Sequence, residues 1–532
     1  MNKRLFFILL SLLPFIGVCA QDDDFEAFRR QQLQEMDDFR QDMFAEFSKF
    51  RREALTGFAN YLEHQWEPYQ VEPKRLRPRE DKPVAPPMLP NKDKALPTTP
   101  VKVPGKVEPV IIPKVEPKPE IPPTPNTPQA TKPTTPTTPT TPTFPNLPTT
   151  PTKPTTPSTP ATPAPYVRQK FTVYGTSMQI IATSDLRISL GGVNEHQVAS
   201  ALRTMAEDKY TPLVTDLAGA SKTYNLNGWA VYQLVKQVSE RLQGANDANG
   251  CALMTAFLLN QLGYDTKLAY MGNRLLPLVS MDMEMVGYTF IKMGGKEYYI
   301  MAKDLPANTP IYTYRKNMEG ATRAVDISNP AAMKLSTQWS PATTHASQAF
   351  PAAAMQGSVN SNLIEYYKSI PILAGYPWPF IAQQPMSERL REELLPPLKR
   401  AIAGKGEYDA VAIIMNFMHY GFKYKTDEDQ FGHEKPFYFE ENFYYPFNDC
   451  EDRAILFSYL VRNLVGLDAA LIYAPGHLWA AVCFKQTVNG DYVEAAGKRF
   501  VMCDPTFIGS SPGMCASKYK GQTYKVFPIP VR

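Results

Sequence analysis

The sequence predicts an α+β protein whose core is a helix packed on an antiparallel sheet. Three observations carry this. Asn448-Asp449-Cys450-Glu451-Asp452-Arg453-Ala454 opens an apolar run from Ile455 to Val465, the pattern of a buried helix with acidic residues at its start. Ala469 to Ala474 and Leu478 to Phe484 flank Pro475-Gly476-His477, and Lys498 to Cys503 leads into Asp504. Short apolar runs bounded by turn residues predict strands. The same order of elements occurs 203 residues earlier: Gly263-Tyr264-Asp265, Leu268 and Tyr270 match Gly466-Leu467-Asp468, Leu471 and Tyr473. The helices before them align too, with Leu253 against Leu456 and Asn260 against Asn463, so one unit is used twice.

The remaining elements follow in chain order. Lys3 and Arg4 precede the apolar stretch Leu5 to Val18, and Val18-Cys19-Ala20 supplies a cleavage site, so residues 1–20 read as a secretory signal. That core is too short to span a bilayer, and no later segment has about 18 consecutive apolar residues. The chain is therefore expected to be exported, to the periplasm, the cell surface or the medium, without a transmembrane span. Lipidation of Cys19 is the less fitting alternative, because Val18 precedes it. Five of the six cysteines remain after cleavage: Cys251, Cys450, Cys483, Cys503 and Cys515. An odd number in an oxidising place leaves an unpaired thiol or an intermolecular bond. Their spacing fits no zinc pattern, and 56 basic against 52 acidic residues do not suggest nucleic acid.

Residues 21–67 carry Phe25, Phe28, Met36, Phe39, Met43, Phe47, Phe50, Phe58 and Leu62 at helical spacings, an amphipathic segment of one or two helices. Its apolar stripe needs a partner: the globular part, a second copy, a dedicated partner protein or a membrane surface. Residues 68–165 are rich in proline and threonine and predict an extended, disordered linker. At about 3.1 Å per residue its upper reach is on the order of 300 Å. Residues 166–310 form the first copy, 311–404 a connecting region and 405–532 the second copy. In the connection, Tyr376-Pro377-Trp378-Pro379-Phe380 reads as packing and Met386 to Ala403 as a helix.

Only the second copy carries chemistry. At the 203 offset Cys450 faces Asp247, His477 faces Arg274 and Asp504 faces Met301. Cys251 falls opposite Ala454 and reads as a buried helix cysteine. The first copy is thus degenerate, with a structural or substrate-positioning role. In the second, the order of nucleophile, base and orienting carboxylate is that of a thiol acyl-transfer site. Cys450 in a first helical turn gains from free amides and the helix dipole, which favour a thiolate. Glu451 and Asp452 oppose it, so they must point away, be neutralised by Arg453 or bind a cation. His477 is placed to take the proton and Asp504 to hold its tautomer. His419 and His433 read as packing or surface residues. The Cys450 amide is the default oxyanion donor, and Tyr444, Tyr445 or Asn448 the second. Cys503 should face away from the site, and a Cys503–Cys515 disulfide stays open.

These residues resemble the transglutaminase-like superfamily, most closely the bacterial transglutaminase-like cysteine peptidases, whose nucleophile sits in an Asp-Cys-Glu-Asp motif, here Asp449-Cys450-Glu451-Asp452. The resemblance covers roughly Tyr408 to Phe507. It implies a papain/transglutaminase-like core with Cys450, His477 and Asp504 as catalytic residues. Some members of that group bind calcium through acidic residues beside the nucleophile, which implies Asp449, Glu451 and Asp452; a solvated helix cap is the plainer alternative. No cofactor is otherwise required. The function this implies is an exported thiol-dependent acyl-transfer enzyme, a cysteine peptidase or amidase acting on a protein or peptide. The alternatives are a protein-crosslinking transglutaminase and a non-catalytic binding or scaffold protein on the same fold.

Overall fold

The structure, a computed structural model, describes residues 49–76, 98–110, 167–302 and 305–531. The expected signal peptide, the start of the amphipathic segment and most of the Pro/Thr-rich stretch lie outside the described residues. Among the described residues no helix is long and apolar enough to cross a membrane.

Two sheets and the helices between them make a mixed α+β architecture. The first has six strands, in the order Glu67–Gln70, Pro310–Thr313, Thr266–Met271, Arg274–Ser280, Lys296–Ile300 and Phe290–Met293. The second has seven, in the order Pro100–Lys102, Gly490–Ala495, Lys498–Cys503, His477–Cys483, Asp468–Ala474, Tyr524–Ile529 and Val107–Pro109. Without the segments added from residues 67–110, each is five antiparallel strands in one order. Met271 pairs with Arg274 in the first and Ala474 with His477 in the second, the 203 offset kept across the hairpin. The next strand slips. Leu278 pairs with Ile300, so a strict offset would pair Ala481 with Cys503, but Ala481 pairs with Met502. By register Asp504 therefore stands opposite Ala302, not Met301. The expected boundary at 310 also fails, since it cuts the strand Pro310–Thr313.

The helices Ala248–Gln261 and Cys450–Leu464 are buried on nearly every side because each is covered by its sheet and by other helices. Leu253 and Phe257 of one and Leu456 and Leu460 of the other belong to a single continuous core, joined by Leu390 and Leu394 of the helix Glu388–Ala401. Each such side chain contributes roughly 1.5–3 kcal/mol on burial. The two copies thus share a core and are not independent domains.

Residues 49–62 are helical, and Leu55, Phe58, Ala59 and Leu62 bury their stripe on the first copy. Phe58 meets Tyr314 edge-on at 5.7 Å, and Trp66 packs on Tyr270 and Tyr314 at 5.2 and 5.0 Å. Phe58 and Leu62 of the described stripe have thus found their partner within the chain, while Phe50 is 56% exposed.

The stretch expected to be a free linker from Pro68 is structured in part. Glu67–Gln70 adds antiparallel to Pro310–Thr313. Pro100–Lys102 pairs in parallel with Gly490–Ala495, and Val107–Pro109 in parallel with Tyr524–Ile529, so residues 98–110 run from one edge of the second sheet to the other and nearly close it into a barrel. The prolines do not prevent this because they sit where no donor is needed. Val103 and Val110 donate to Tyr492 and Val526, while the carbonyls of Thr99 and Lys106 accept from Gly490 and Tyr524. Composition alone hid this, since Val103 is also buried in the sheet's core.

The turn between these two short strands needs glycine. Gly105 has φ +133°, and a Cβ there would lie 2.1 Å from the Gln522 carbonyl oxygen. Gly105→Ala should therefore destabilise the protein by about 1–3 kcal/mol, read as a lower denaturant midpoint. An unchanged midpoint would mean that residues 98–110 do not close the sheet in solution.

Candidate functional site

Cys450 is the first residue of its helix, His477 the first of its strand, and Asp504 follows the end of Lys498–Cys503. Gly476, at φ +79°, makes the tight hairpin that aims His477 back at the helix start. Since Ala480 pairs with Cys503, the histidine and aspartate strands are neighbours. His477 Nε2 lies 2.9 Å from Asp504 Oδ2, and both side chains are about 95% buried. Asp504 Oδ1 accepts the amides of Thr506 at 2.8 Å and Phe507 at 3.2 Å, which fixes the carboxylate. With Nε2 donating to Asp504, Nδ1 is the ring's acceptor. The imidazole stacks on Tyr519 at 4.8 Å and on Trp479 at 5.3 Å. Cys450, His477 and Leu478 border one cleft of about 750 Å³.

Sequence reasoning expected an activated thiol, and here the site differs. The Cys450 thiol donates to Glu451 Oε2 at 3.1 Å rather than to His477. Burial and then the negative charges of Glu451 and Asp449 push the thiol well above its ordinary range, with only the Leu478 amide acting the other way. The helix start does not overcome a carboxylate in contact with the sulfur. Of the three escapes open to the acids, Asp452 takes the first. Its Oδ1 accepts the Phe437 amide at 2.8 Å and its Oδ2 the Asp449 amide at 3.2 Å. The second is closed, because Arg453 is turned to Asn448 Oδ1 and the Phe422 carbonyl, both at 2.9 Å. Glu451 is left against the thiol.

The third escape has a suitable donor set, though not the one expected. Carboxylate oxygens of Asp427, Glu434 and Glu451 gather within 4.8 Å of one another, as do those of Asp427, Asp449 and Asp452. Asp449 Oδ1 and Glu451 Oε1 are buried without a hydrogen-bond partner. Asp449 is held well above the usual carboxylate range by burial and by the charges of Glu451, Asp427 and Asp452. Oxygen-only donors with unsatisfied lone pairs suit a hard cation. Asp452, named from sequence, has both oxygens engaged; Asp427 and Glu434 were missed, although Asp427-Glu428-Asp429 is an acidic run legible in the sequence.

Other expectations divide. Asn448 is committed to Asn442 and Arg453, and Tyr444 does not border the cleft; Tyr445 does. Tyr424, which sequence did not suggest, also borders it, and its hydroxyl is pushed up by burial and by Cys450, Asp449 and Glu451. Cys251 is a helix cysteine bonded to the Gly244 carbonyl and raised to about 11, chiefly by burial. Cys503 and Cys515 are free thiols. His433 lines the cleft. His419, read as packing or surface, is buried on the helix Glu407–Gly421, and its Nε2 lies 3.0 Å from the Asp504 carbonyl oxygen, so it positions the aspartate turn.

Comparison with protein-family models, with curated proteins and with solved structures finds no match to the chain.

Two measurements test this geometry. Glu451→Gln removes the negative charge at the thiol but keeps the size of the side chain and one acceptor oxygen. Iodoacetamide should then label Cys450 roughly tenfold faster at a fixed mildly alkaline pH in chelator, about one pKa unit. An unchanged rate would show that Glu451 does not set the thiol's state. His419 is lowered to about 4, first by burial, so it is neutral when folded. The unfolded imidazole, near 6.5, takes up protons more readily, so stability is whole above about pH 6.5 and is lost as pH falls towards 4. That costs about 3 kcal/mol. His419→Gln should lack this component; equal acid sensitivity of the two proteins would refute it.

Proposed function

We propose that the chain is an exported thiol acyl-transfer enzyme of the transglutaminase-like kind, acting as a cysteine peptidase or amidase. The observation that carries this reading is the buried His477–Asp504 pair on the same cleft as a cysteine at a helix start. A shared strand order in two copies, with the reactive types present in only one, supports it as well. Cys450 sulfur attacks the carbonyl carbon of a peptide or side-chain amide, and its proton passes to His477 Nδ1. The carbon–nitrogen bond breaks, and the imidazolium returns that proton to the departing amine. Water, deprotonated by His477, then cleaves the thioester. Asp504 keeps Nδ1 facing the reaction and stabilises the imidazolium. The Cys450 amide, with Tyr424 or Tyr445, donates to the oxyanion.

The thiol must first lose its bond to Glu451. A calcium ion held by Asp449 and Glu451 together with Asp427 and Glu434 would supply positive charge that offsets these carboxylates. With its carboxylate engaged there, Glu451 would no longer accept the Cys450 thiol. A second reading, a non-catalytic protein on this fold, is favoured by one observation: the thiol is neutral and bonded to Glu451. The calcium dependence separates the two.

For chelator-treated protein, millimolar calcium should raise the melting temperature, by about 2.7 kcal/mol of stabilisation at a hundredfold excess over Kd. It should also speed labelling of Cys450 by a thiol-directed activity probe, and His477→Ala should abolish that gain. A probe that labels Cys450 no faster than Cys251, with calcium present, would leave the non-catalytic reading.

A further inference from the structure

The connection between the copies borders the cleft. Ile370, Ile372, Leu373, Tyr376 and Trp378 form one of its walls. That wall is hung on the degenerate copy. The Val286 amide donates to the Ile372 carbonyl and the Ala374 amide to the Glu284 carbonyl, both at 2.8 Å, which makes Met285 and Leu373 an antiparallel pair. In such a pair the two bonds flank the central residues, and the N–H and C=O of those residues turn away from each other. On its outer side the Met285 amide is taken by the Tyr299 hydroxyl at 3.0 Å. The N–H and C=O of Leu373 have no hydrogen bond among the described residues. Leu373 is partly exposed and lies on the cleft. A residue with a paired inner edge and a free outer N–H and C=O is one rung of a sheet edge, to which an extended chain adds.

The side chains beside that rung are apolar and immobilised by one another. Trp378 packs on Tyr376, Tyr473 and Phe527 at 5.5, 5.3 and 6.3 Å, and Tyr376 meets Tyr473 at 5.7 Å. Such a wall receives a bulky apolar group at little ordering cost.

We propose that the cleft takes its substrate as an extended peptide strand. One residue of that strand exchanges two backbone hydrogen bonds with Leu373, and a bulky apolar side chain lies on the Tyr376–Trp378 wall. The inference rests on the thiol acyl-transfer reading. It also gives the first copy a role, since Glu284 to Val286 hold the edge against which the substrate is registered, while Cys450 and His477 are held by the second copy.

The test uses the mature chain with calcium and two Cys450-directed reagents, with labelled sites mapped by mass. Iodoacetamide needs no strand pairing. Peptide vinyl sulfones do; the thiolate adds to the alkene carbon β to the sulfone, and the carbon bearing the sulfone takes the proton. Peptides with Phe or Leu should label Cys450 at least about tenfold faster than those with Asp or Lys at one position. Replacing each peptide amide in turn by its N-methyl form should cost about tenfold or more at one position and little at the others. That is the size of one hydrogen bond. Equal rates along the N-methyl series, or no preference for apolar side chains, would overturn the inference. So would labelling by iodoacetamide with none by any peptide, which leaves the thiol reading standing. Labelling of Cys450 by neither reagent would sink the thiol reading, and this inference with it.

Discussion

The constraint on which the site depends is negative charge in a dry place. Asp449, Glu451 and Asp452 are each no more than 3% exposed, and Arg453 beside them is 1% exposed. Buried charge persists only when hydrogen-bonded, paired or neutralised. Asp452 is satisfied by two backbone amides, and in being so it ties the loop at Phe437 to the helix start. Arg453 does the same for Asn448 and Phe422, although burial lowers its own affinity for a proton to about 10. Asp452 is therefore spent on the backbone, and Arg453 on one side chain and one carbonyl. Asp449 Oδ1 and Glu451 Oε1 are left unsatisfied, while the other Glu451 oxygen accepts the thiol. The state of the thiol is set by burial, and then by these two residues, more than by the helix that carries it.

The doubled architecture explains how such a site is borne. Both copies fold the same five strands over one buried helix, and their helices share a core. In the first copy the helix start is capped by Asp247, whose carboxylate accepts the Gly250 amide, and Asn249 bonds the hairpin at Asn273 and Leu275. These are the structural uses to which helix-start polar residues are commonly put. The second copy puts a thiol and an imidazole at the positions of Asp247 and Arg274, keeps Asp452 at the position of Asn249 for such a use, and needs compensation elsewhere. Duplication supplies this in part, because one unit can hold the wall of a cleft while the other keeps the reactive groups.

What was legible in the sequence was local. Apolar runs on either side of Pro475-Gly476 marked the strands, and an apolar run after acidic residues marked the helix, so the order of Cys450, His477 and Asp504 on adjacent elements could be read directly. Internal similarity located the first copy, because both hairpins keep one register at their first turn. What was not legible was pairing across long separations. Tyr376-Pro377-Trp378 reads as packing until Ile372 and Ala374 are seen bonded to residues about ninety positions earlier. Asp427 opens the short helix Asp427–Phe431 and Glu434 lies in the loop after it, and no periodicity encodes how they fold against Asp449 and Glu451. Side-chain direction was equally hidden: nothing in Asp449-Cys450-Glu451-Asp452 says that Glu451 turns to the sulfur and Asp452 to the backbone.

The proline-rich segment shows how far such long pairings reach. Val103 packs in the same cluster as Trp479, Tyr519 and Tyr524. Trp479 and Tyr519 stack on one another at 5.3 Å, and both stack on His477. The Tyr524 hydroxyl donates to the Tyr519 carbonyl at 2.6 Å, and the Tyr524 amide is bonded to Lys106 in the segment itself. The base is thus held on one side by the Asp504 carboxylate and on the other by rings whose packing includes residues nearly four hundred positions away. An imidazole fixed in this way has little rotational freedom to lose when it meets a thiol. Closing the sheet's edges therefore does more than protect them from pairing with other chains. It makes the orientation of His477 depend on the ordering of a segment whose composition, taken alone, predicts none.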